Sequence, residues 1–372
     1  MTKLEIHEIG RVPSQDPGWD RLAAAQGEFS AKGTYLNTAS LGLPPSRSLR
    51  ALQEALEQWR CGTASPPDYD VHLESARASY AGLVGLQASS VAVGSQVSVF
   101  AGLVAASLPD GCEVLTVQGE FSSIVFPFLA QANRGVTVRQ LDLSDLATAV
   151  SARTALVTVS AVQSADGQLA DLDSLTQACA AYDTPILLDT TQAVGWLPID
   201  AGRFAYTICG GYKWLLAPRG TCFFTVQPEL ADRLTPHTAG WYAGANPWAS
   251  IYSPVLSLAA DASRFDVSPA WHSWVGQAPS LGLLADIGPA VLHAHAVGLA
   301  NRFRGHVGLP EGDSAIVSMA AGAEATEQLQ RAEVIGSTRA GRLRLAFHLN
   351  NTAADADRAA EALSGRYFPD SN

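Results

Sequence analysis

The chain has 372 residues, 47% of them hydrophobic, with 32 Gly and 20 Pro, enough for a large core and a second, smaller lobe. Its net charge of −11 argues against a nucleic-acid partner, because phosphate backbones need basic surface. The five cysteines (Cys61, Cys112, Cys179, Cys209, Cys222) have no CxxC spacing and read as small core residues, not as a zinc site or redox pair.

The segment from Met1 to Trp19 carries Glu5, His7, Glu8 and Pro13 where a signal peptide needs an apolar run. Residues 1 to 34 read as a loose arm with a short helix around Arg21 to Gln26. Thr34 to Thr38 reads as a short strand entering a Gly/Pro turn, Leu41-Gly42-Leu43-Pro44-Pro45. Leu49, Leu52, Leu56 and Trp59 recur three and four apart and predict a helix over Ser46 to Trp59, with another over His72 to Leu86.

Strand-like and helical segments then alternate. Strands are expected at Val91–Val93, Glu113–Val117, Val136–Leu141, Ala155–Val159, Pro185–Leu188, Tyr206–Cys209 and Thr221–Val226, the last as an antiparallel edge. Helices are expected at Val97–Leu108 and Ile124–Ala132. This order predicts an α/β fold with a mostly parallel seven-stranded sheet and a smaller α+β C-terminal domain. The expected division is an arm over 1–45 that joins the small domain, a large domain over 46–275, and a small domain over 276–372.

Residues 236 to 277 are rich in Trp, Pro and Gly, with Trp241, Trp248, Trp271 and Trp274, and suit either a pocket for a bulky ligand or an interface. Leu281 to Ala300 is the most apolar long stretch. Asp286, Pro289, His293 and His295 interrupt it, so it reads as a buried helix and not a membrane span. A strand over Arg342–Phe347 and a helix over Ala353–Leu363 close the chain. A cytoplasmic protein without membrane contact is expected.

Chemistry enters at Lys213. It follows Asp189 by twenty-four residues, and each lies at or just past the end of a predicted strand. That arrangement suits pyridoxal 5'-phosphate: Asp189 would keep the pyridine nitrogen protonated and Lys213 would form the Schiff base. Gly94-Ser95-Gln96-Val97 joins a strand to a helix, so backbone N–H groups and the helix dipole converge where a phosphate would sit. An ordinary N-cap serine gives the same pattern. Phe121 could stack on the ring or belong to the core, and Gln192 could reach the phenolic oxygen. In Gly341-Arg342-Leu343-Arg344-Leu345, alternation puts both arginines on one strand face, where a guanidinium fork fits an amino-acid carboxylate. His293 and His295, two apart, point in different directions on a helix and make a poor metal pair. His348 reads as a surface histidine.

Five stretches together resemble the class V aminotransferase family. They are Tyr35 to Pro44, Asp189 to Gly195, Gly210 to Gly220, Arg264-Phe265-Asp266-Val267-Ser268-Pro269, and Arg344 to Thr352. This fold-type-I group holds cysteine desulfurases, kynureninase, isopenicillin-N-epimerase-like proteins and cysteine-conjugate C–S lyases. The resemblance implies a homodimer with shared active sites. It implies that Arg344 binds the substrate carboxylate and that Ser268 reaches the phosphate of the neighbouring subunit, although Val267 replaces the family's usual glycine. Tyr212 stands where many members have His and matches the kynureninase pattern, in which the tyrosine hydroxyl binds phosphate. Phe121 stands where desulfurases have a histidine. No cysteine follows Cys222, whereas desulfurases place a persulfide-forming cysteine in the C-terminal lobe. The expected activity is β-elimination from an S-substituted cysteine, with epimerisation, transamination and decarboxylation as alternatives on the same residues.

Overall fold

The computed structural model describes residue 13 and residues 15–363. Most of the expected N-terminal arm, residues 1–12 and 14, lies outside the described residues, as do residues 364–372. Helix α1 (Pro17–Gln26) starts at Asp16, whose carboxylate accepts the Gly18 N–H, with Pro17 at the first helical position. Strand β1 (Thr34–Tyr35) and helices α2 (Ser46–Arg60) and α3 (Asp70–Leu83) follow.

The alternating part comprises β2 (Val91–Gly94), α4 (Val97–Ala106), β3 (Glu113–Val117), α5 (Ser122–Leu129), β4 (Thr137–Leu141), β5 (Thr154–Ser160), α6 (Leu172–Ala180), β6 (Ile186–Asp189), β7 (Tyr206–Gly210) and β8 (Cys222–Val226). The C-terminal part comprises α7 (Trp271–Ile287), α8 (Pro289–His306), β9 (Ile316–Met319), α9 (Ala323–Arg331), β10 (Val334–Ile335), β11 (Ser337–Arg339), β12 (Arg342–Ala346) and α10 (Ala353–Ala362).

Seven strands form one sheet in the order β2-β8-β7-β6-β5-β3-β4. The expected α/β fold with a mostly parallel seven-stranded sheet is present. One expectation about it is corrected: β8 is antiparallel to both neighbours, but it lies inside the sheet between β2 and β7. The reason is visible in its side chains. Phe223 stacks on Tyr80 at 4.1 Å between ring centroids, and Phe224, on the other face, stacks on Phe100 at 4.9 Å. Its backbone pairs with β2 on one side and β7 on the other, and the edge strand β2, also buried throughout, has its free side met by the Asp266 carboxylate and the Val267 N–H. The edge β4, in contrast, has exposed residues at Thr137, Arg139 and Gln140.

The C-terminal part builds a three-stranded antiparallel sheet, β11-β12-β9, beside the parallel pair β1–β10. Leu343 and Leu345 of β12 are buried with Phe303 and Phe347 in a separate apolar cluster. The long apolar stretch is not one helix. α7 and α8 meet at Gly288 (φ 90) with a bend of 87°, because Gly288 adopts a backbone that L side chains avoid and Pro289 begins a new helix. Helix α7 also spans positions 275 and 276. Among the described residues no single helix is long and apolar enough to cross a membrane.

The Trp-rich segment packs on the protein. The Tyr242 hydroxyl and the Trp248 indole N–H both donate to Asp70, and Trp241 meets Trp248 edge to face at 4.9 Å. Trp271 stacks on Tyr69, and Trp274 lies in the core against Phe223.

Candidate active site

A cleft opens at the carboxyl ends of the parallel strands, the place where open α/β sheets bind ligands. Its walls include Ser95, Gln96, Val97, Phe121, Ser160, Ser164, Asp189, Thr191, Gln192, Tyr212, Lys213, Arg219 and Thr221. Eight of the residues singled out in the sequence, from Ser95 to Lys213, therefore meet in one place.

The turn from β2 into α4 presents a helix N-terminus. Gln96 is its N-cap in extended conformation, and its side chain makes no capping bond, so the first amides of α4 open into the cleft. Phe121, which precedes α5 and is 42% exposed, forms the opposite wall, with the Lys213 Nζ 5.2 Å from its ring centroid.

Asp189 ends β6. Its Oδ1 accepts the Thr191 N–H at 2.8 Å, and among the described residues no Lys or Arg lies within ion-pair distance. Burial raises its pKa to about 6, as expected for a carboxylate taken from water without a cation. The Gln192 amide is engaged at both ends: Nε2 donates to the Ala39 carbonyl and to Ser164 Oγ, both at 3.0 Å, and Oε1 accepts the Trp214 indole N–H at 2.7 Å.

Lys213 sits in the connection between β7 and β8, residues 211–221. The turn Leu41 to Pro45 presses on it: the Gly42 N–H donates to the Tyr212 carbonyl at 2.9 Å, and a Cβ at Gly42 would stand 2.0 Å from the Lys213 carbonyl oxygen. Only glycine permits that approach. Lys213 is 5% exposed, and burial lowers its pKa to about 8, against the opposing pull of Asp189 and with smaller lowering by Arg344 and Arg339. The Tyr212 ring lies 5.7 Å from Lys213 Nζ and 5.1 Å from Arg219 Cζ.

Arg344 reaches the cleft from β12 and is almost fully buried. It donates to the Ser164 carbonyl, to Ser337 Oγ at 3.2 Å and to Ser40 Oγ at 2.8 Å. Burial lowers its pKa to about 10. Arg342 shares the strand face but donates to Ser318. Ser268 is exposed and does not line this chain's cleft. Asp266, two residues before it, is buried and paired with Arg77 at 2.7 Å.

His348 corrects an expectation. It is fully buried, not superficial: Nε2 lies 3.0 Å from the Trp214 carbonyl oxygen, and burial depresses its pKa to about 3. Cys179, Cys209 and Cys222 are buried as expected, but Cys61 is exposed. None of the four tryptophans at 241, 248, 271 and 274 lines the cleft.

Sequence reasoning missed Ser40, Glu120, Ser160, Ser164 and Arg339. Glu120 had a visible signal, since it adjoins Phe121 in a Gly-Glu-Phe turn after a strand. Its carboxylate accepts the Ser160 N–H and hydroxyl, both at 2.7 Å. The serines carry no local signature.

The aminotransferase class-V family model matches residues 72–309. The chain is 27% identical over 315 residues to the uncharacterized aminotransferase YcbU of Bacillus subtilis, covering 79% of this chain and 83% of that protein. It is 27% identical over 299 residues to isopenicillin N epimerase of Streptomyces clavuligerus, covering 72% and 73%. In fold it is similar to the cystine C–S lyase C-DES solved with cysteine persulfide, at a TM-score of 0.81 and 19% identity over 90% of this chain and 98% of that one.

Members of this family use pyridoxal 5'-phosphate, and the residues present fit it. An uncapped helix N-terminus suits its phosphate. An unpaired buried carboxylate suits its cationic ring nitrogen, and a buried amine with a lowered pKa suits its aldehyde. On the match over residues 72–309 and the fold it accompanies, the chain belongs to the class-V aminotransferase family of pyridoxal-phosphate enzymes.

Proposed function

We propose that the protein is a β-eliminating C–S lyase that acts on an S-substituted cysteine. The observation that carries this reading is the meeting of the Lys213 amine and the Asp189 carboxylate in a cleft lined by no cysteine, with the Arg344 guanidinium bonded to Ser164 of its wall. A desulfurase that stores sulfur as a persulfide needs a thiol there.

Lys213 would hold the cofactor aldehyde, and Asp189 would pair with its ring nitrogen. Ser95, Gln96 and the amide of Val97 would take the phosphate, with Tyr212 beside them. Phe121 would cover one ring face, and Gln192 would meet the phenolic oxygen by giving up one of its bonds to Ala39 and Ser164. The bound cofactor supplies an electron sink for charge that develops at Cα. Arg344 grips the substrate carboxylate in bidentate fashion. The Lys213 amine, with a pKa near 8, would take the Cα proton. The Cβ–S bond then breaks with its electron pair on sulfur, and one water completes the conversion to thiol, pyruvate and ammonia.

We further infer a homodimer. Leu49, Leu56 and Trp59 of α2 form one helical stripe and are 44%, 48% and 65% exposed, a patch that association would cover. Ser268, exposed beyond Asp266, would reach the partner's phosphate site. The 27% identity to isopenicillin N epimerase keeps epimerisation at Cα as the second reading.

The test is an absorbance spectrum of the purified protein and of Lys213→Ala, before and after S-substituted cysteines are added. A band at roughly 410–430 nm that Lys213→Ala alters, with thiol and pyruvate formed by the wild type, is the expected result. A band without products sinks the lyase reading and directs the search to epimerisation or transamination.

A further inference from the structure

Two guanidinium groups share one hydroxyl at the rim of the cleft. Arg344 donates to Ser40 Oγ at 2.8 Å and Arg339 donates to the same oxygen at 3.0 Å. The charged heads therefore lie within a few ångströms of each other. Among the described residues neither has a carboxylate partner: the other bonds of Arg339 and Arg344 go to Thr338, Ser164 and Ser337. Arg344 is 1% exposed and bonds Ser164 of the cleft wall, whereas Arg339 is exposed, and both lie near enough to Lys213 for their charge to act on it.

The hairpin holds this arrangement in place. β11 and β12 are joined by Ala340 and Gly341 alone, both at positive φ (47 and 74). Such a turn matches strand twist and fixes the register of the flanking residues. That register puts Arg339 directly opposite Arg342 and Ser337 opposite Arg344, so three arginines share one hairpin face while Leu343 and Leu345 fill the core on the other. Like charges opposed across a hairpin destabilise it. The net charge of the chain is −11, yet among the described residues no ion pair joins these three arginines to an acid.

On the reading of Arg344 as the α-carboxylate anchor, one anion neutralises Arg344 and leaves Arg339 unmatched. We propose that Arg339 is a specificity-determining residue that binds a second anionic group, so that the preferred substrates are amino acids whose side chain ends in a carboxylate or sulfonate. For a C–S lyase these are cysteines with an acidic S-substituent.

Binding and turnover are measured separately on the cofactor-loaded enzyme. By calorimetry, succinate, glutarate and adipate are each compared with the corresponding half-amide. At least one dicarboxylate binds about tenfold more tightly than its half-amide, Arg339→Gln removes the preference, and Arg339→Lys restores part of it. Equal binding of all acids and half-amides, or a preference that survives Arg339→Gln, overturns the proposal. Thiol release is then followed from S-(carboxymethyl)cysteine and S-(carbamoylmethyl)cysteine. Preference for the acid that Arg339→Gln abolishes, with the neutral substrate changed less than about twofold, is expected. Equal loss on both substrates counts against a role in specificity. Thiol from neither substrate sinks the lyase reading alone, because the calorimetric comparison stands without turnover.

Discussion

Glu120 holds Ser160 twice, accepting its backbone N–H and its hydroxyl at 2.7 Å each, and so ties the chain just after β3 to the end of β5. The same carboxylate accepts the Phe121 N–H at 2.8 Å, which fixes the residue whose ring faces Lys213. Glu120→Gln loses charge assistance and one acceptor. It is expected to cost about 1–2 kcal/mol of stability and to weaken cofactor retention several-fold, read by urea unfolding and by cofactor titration. Unchanged values in both would remove Glu120 from any part in placing Phe121.

Asp189 makes the protein pH-sensitive without its cofactor. Its folded pKa, raised to about 6 from 3.8, favours the protonated form. The contribution of this group to stability is therefore complete below pH 3.8 and is lost as pH rises through about 6. Cofactor-free Asp189→Asn is expected to match the wild type near pH 4 and to be more stable above pH 6, by on the order of 3 kcal/mol. In cofactor titrations the order reverses, since the variant lacks the anion for the ring nitrogen. Thermal melts across pH 4–8 give the first result, and a variant with the wild-type slope would contradict it.

Lys213 titrates near 8 because burial outweighs Asp189, and Arg344 and Arg339 lower it further. A neutral amine captures an aldehyde, so the rate of cofactor loading is expected to rise with pH to a midpoint near 8. Arg344→Met removes a neighbouring positive charge, stabilises the ammonium form and moves that midpoint upward. Stopped-flow absorbance after mixing with pyridoxal phosphate measures both. A downward shift would refute the electrostatic coupling.

His348 supplies an acid-labile point in the core. It is neutral when folded, with a pKa near 3, and protonates near 6.5 when unfolded. Stability tied to it is intact above pH 6.5 and falls as pH drops toward 3. His348→Gln is expected to melt several degrees lower at pH 7, through loss of the contact to the Trp214 carbonyl. It should also lose less stability between pH 6.5 and 4 than the wild type. Parallel melting curves for the two proteins over that range would disprove the assignment.

Local pattern made much of this readable in advance. Apolar runs such as Ile186–Leu188 are buried on both faces and so need no alternation to be recognised as parallel strands. Asp189 and Lys213 were legible because each follows such a run within a few residues. Alternation sorts β12 into a leucine face and an arginine face, but only the family resemblance singled out Arg344 from Arg342. The interior place of β8 was not legible, because strand order depends on which faces are covered by residues far away, here Tyr80 and Phe100. The break at Gly288-Pro289 had a signal that the surrounding hydrophobicity masked. Ser40 and Ser164 had none: each is one small polar residue in a loop, given meaning by an arginine from the far end of the chain. The burial of His348 follows from Trp214 folding over it, which no single-segment pattern records.

The hydrogen bond between Ser40 and Arg344 spans 304 residues of sequence. During synthesis the chain through β8 emerges with the sheet, Lys213 and the turn after β2 well before β12 can bring Arg344 to Ser40. On the roles proposed for Arg344 and Arg339, substrate selection is the last property the nascent chain acquires. A product truncated before β11 would lack both arginines, and with them the buried contact of His348 with the Trp214 carbonyl that backs the Lys213 loop.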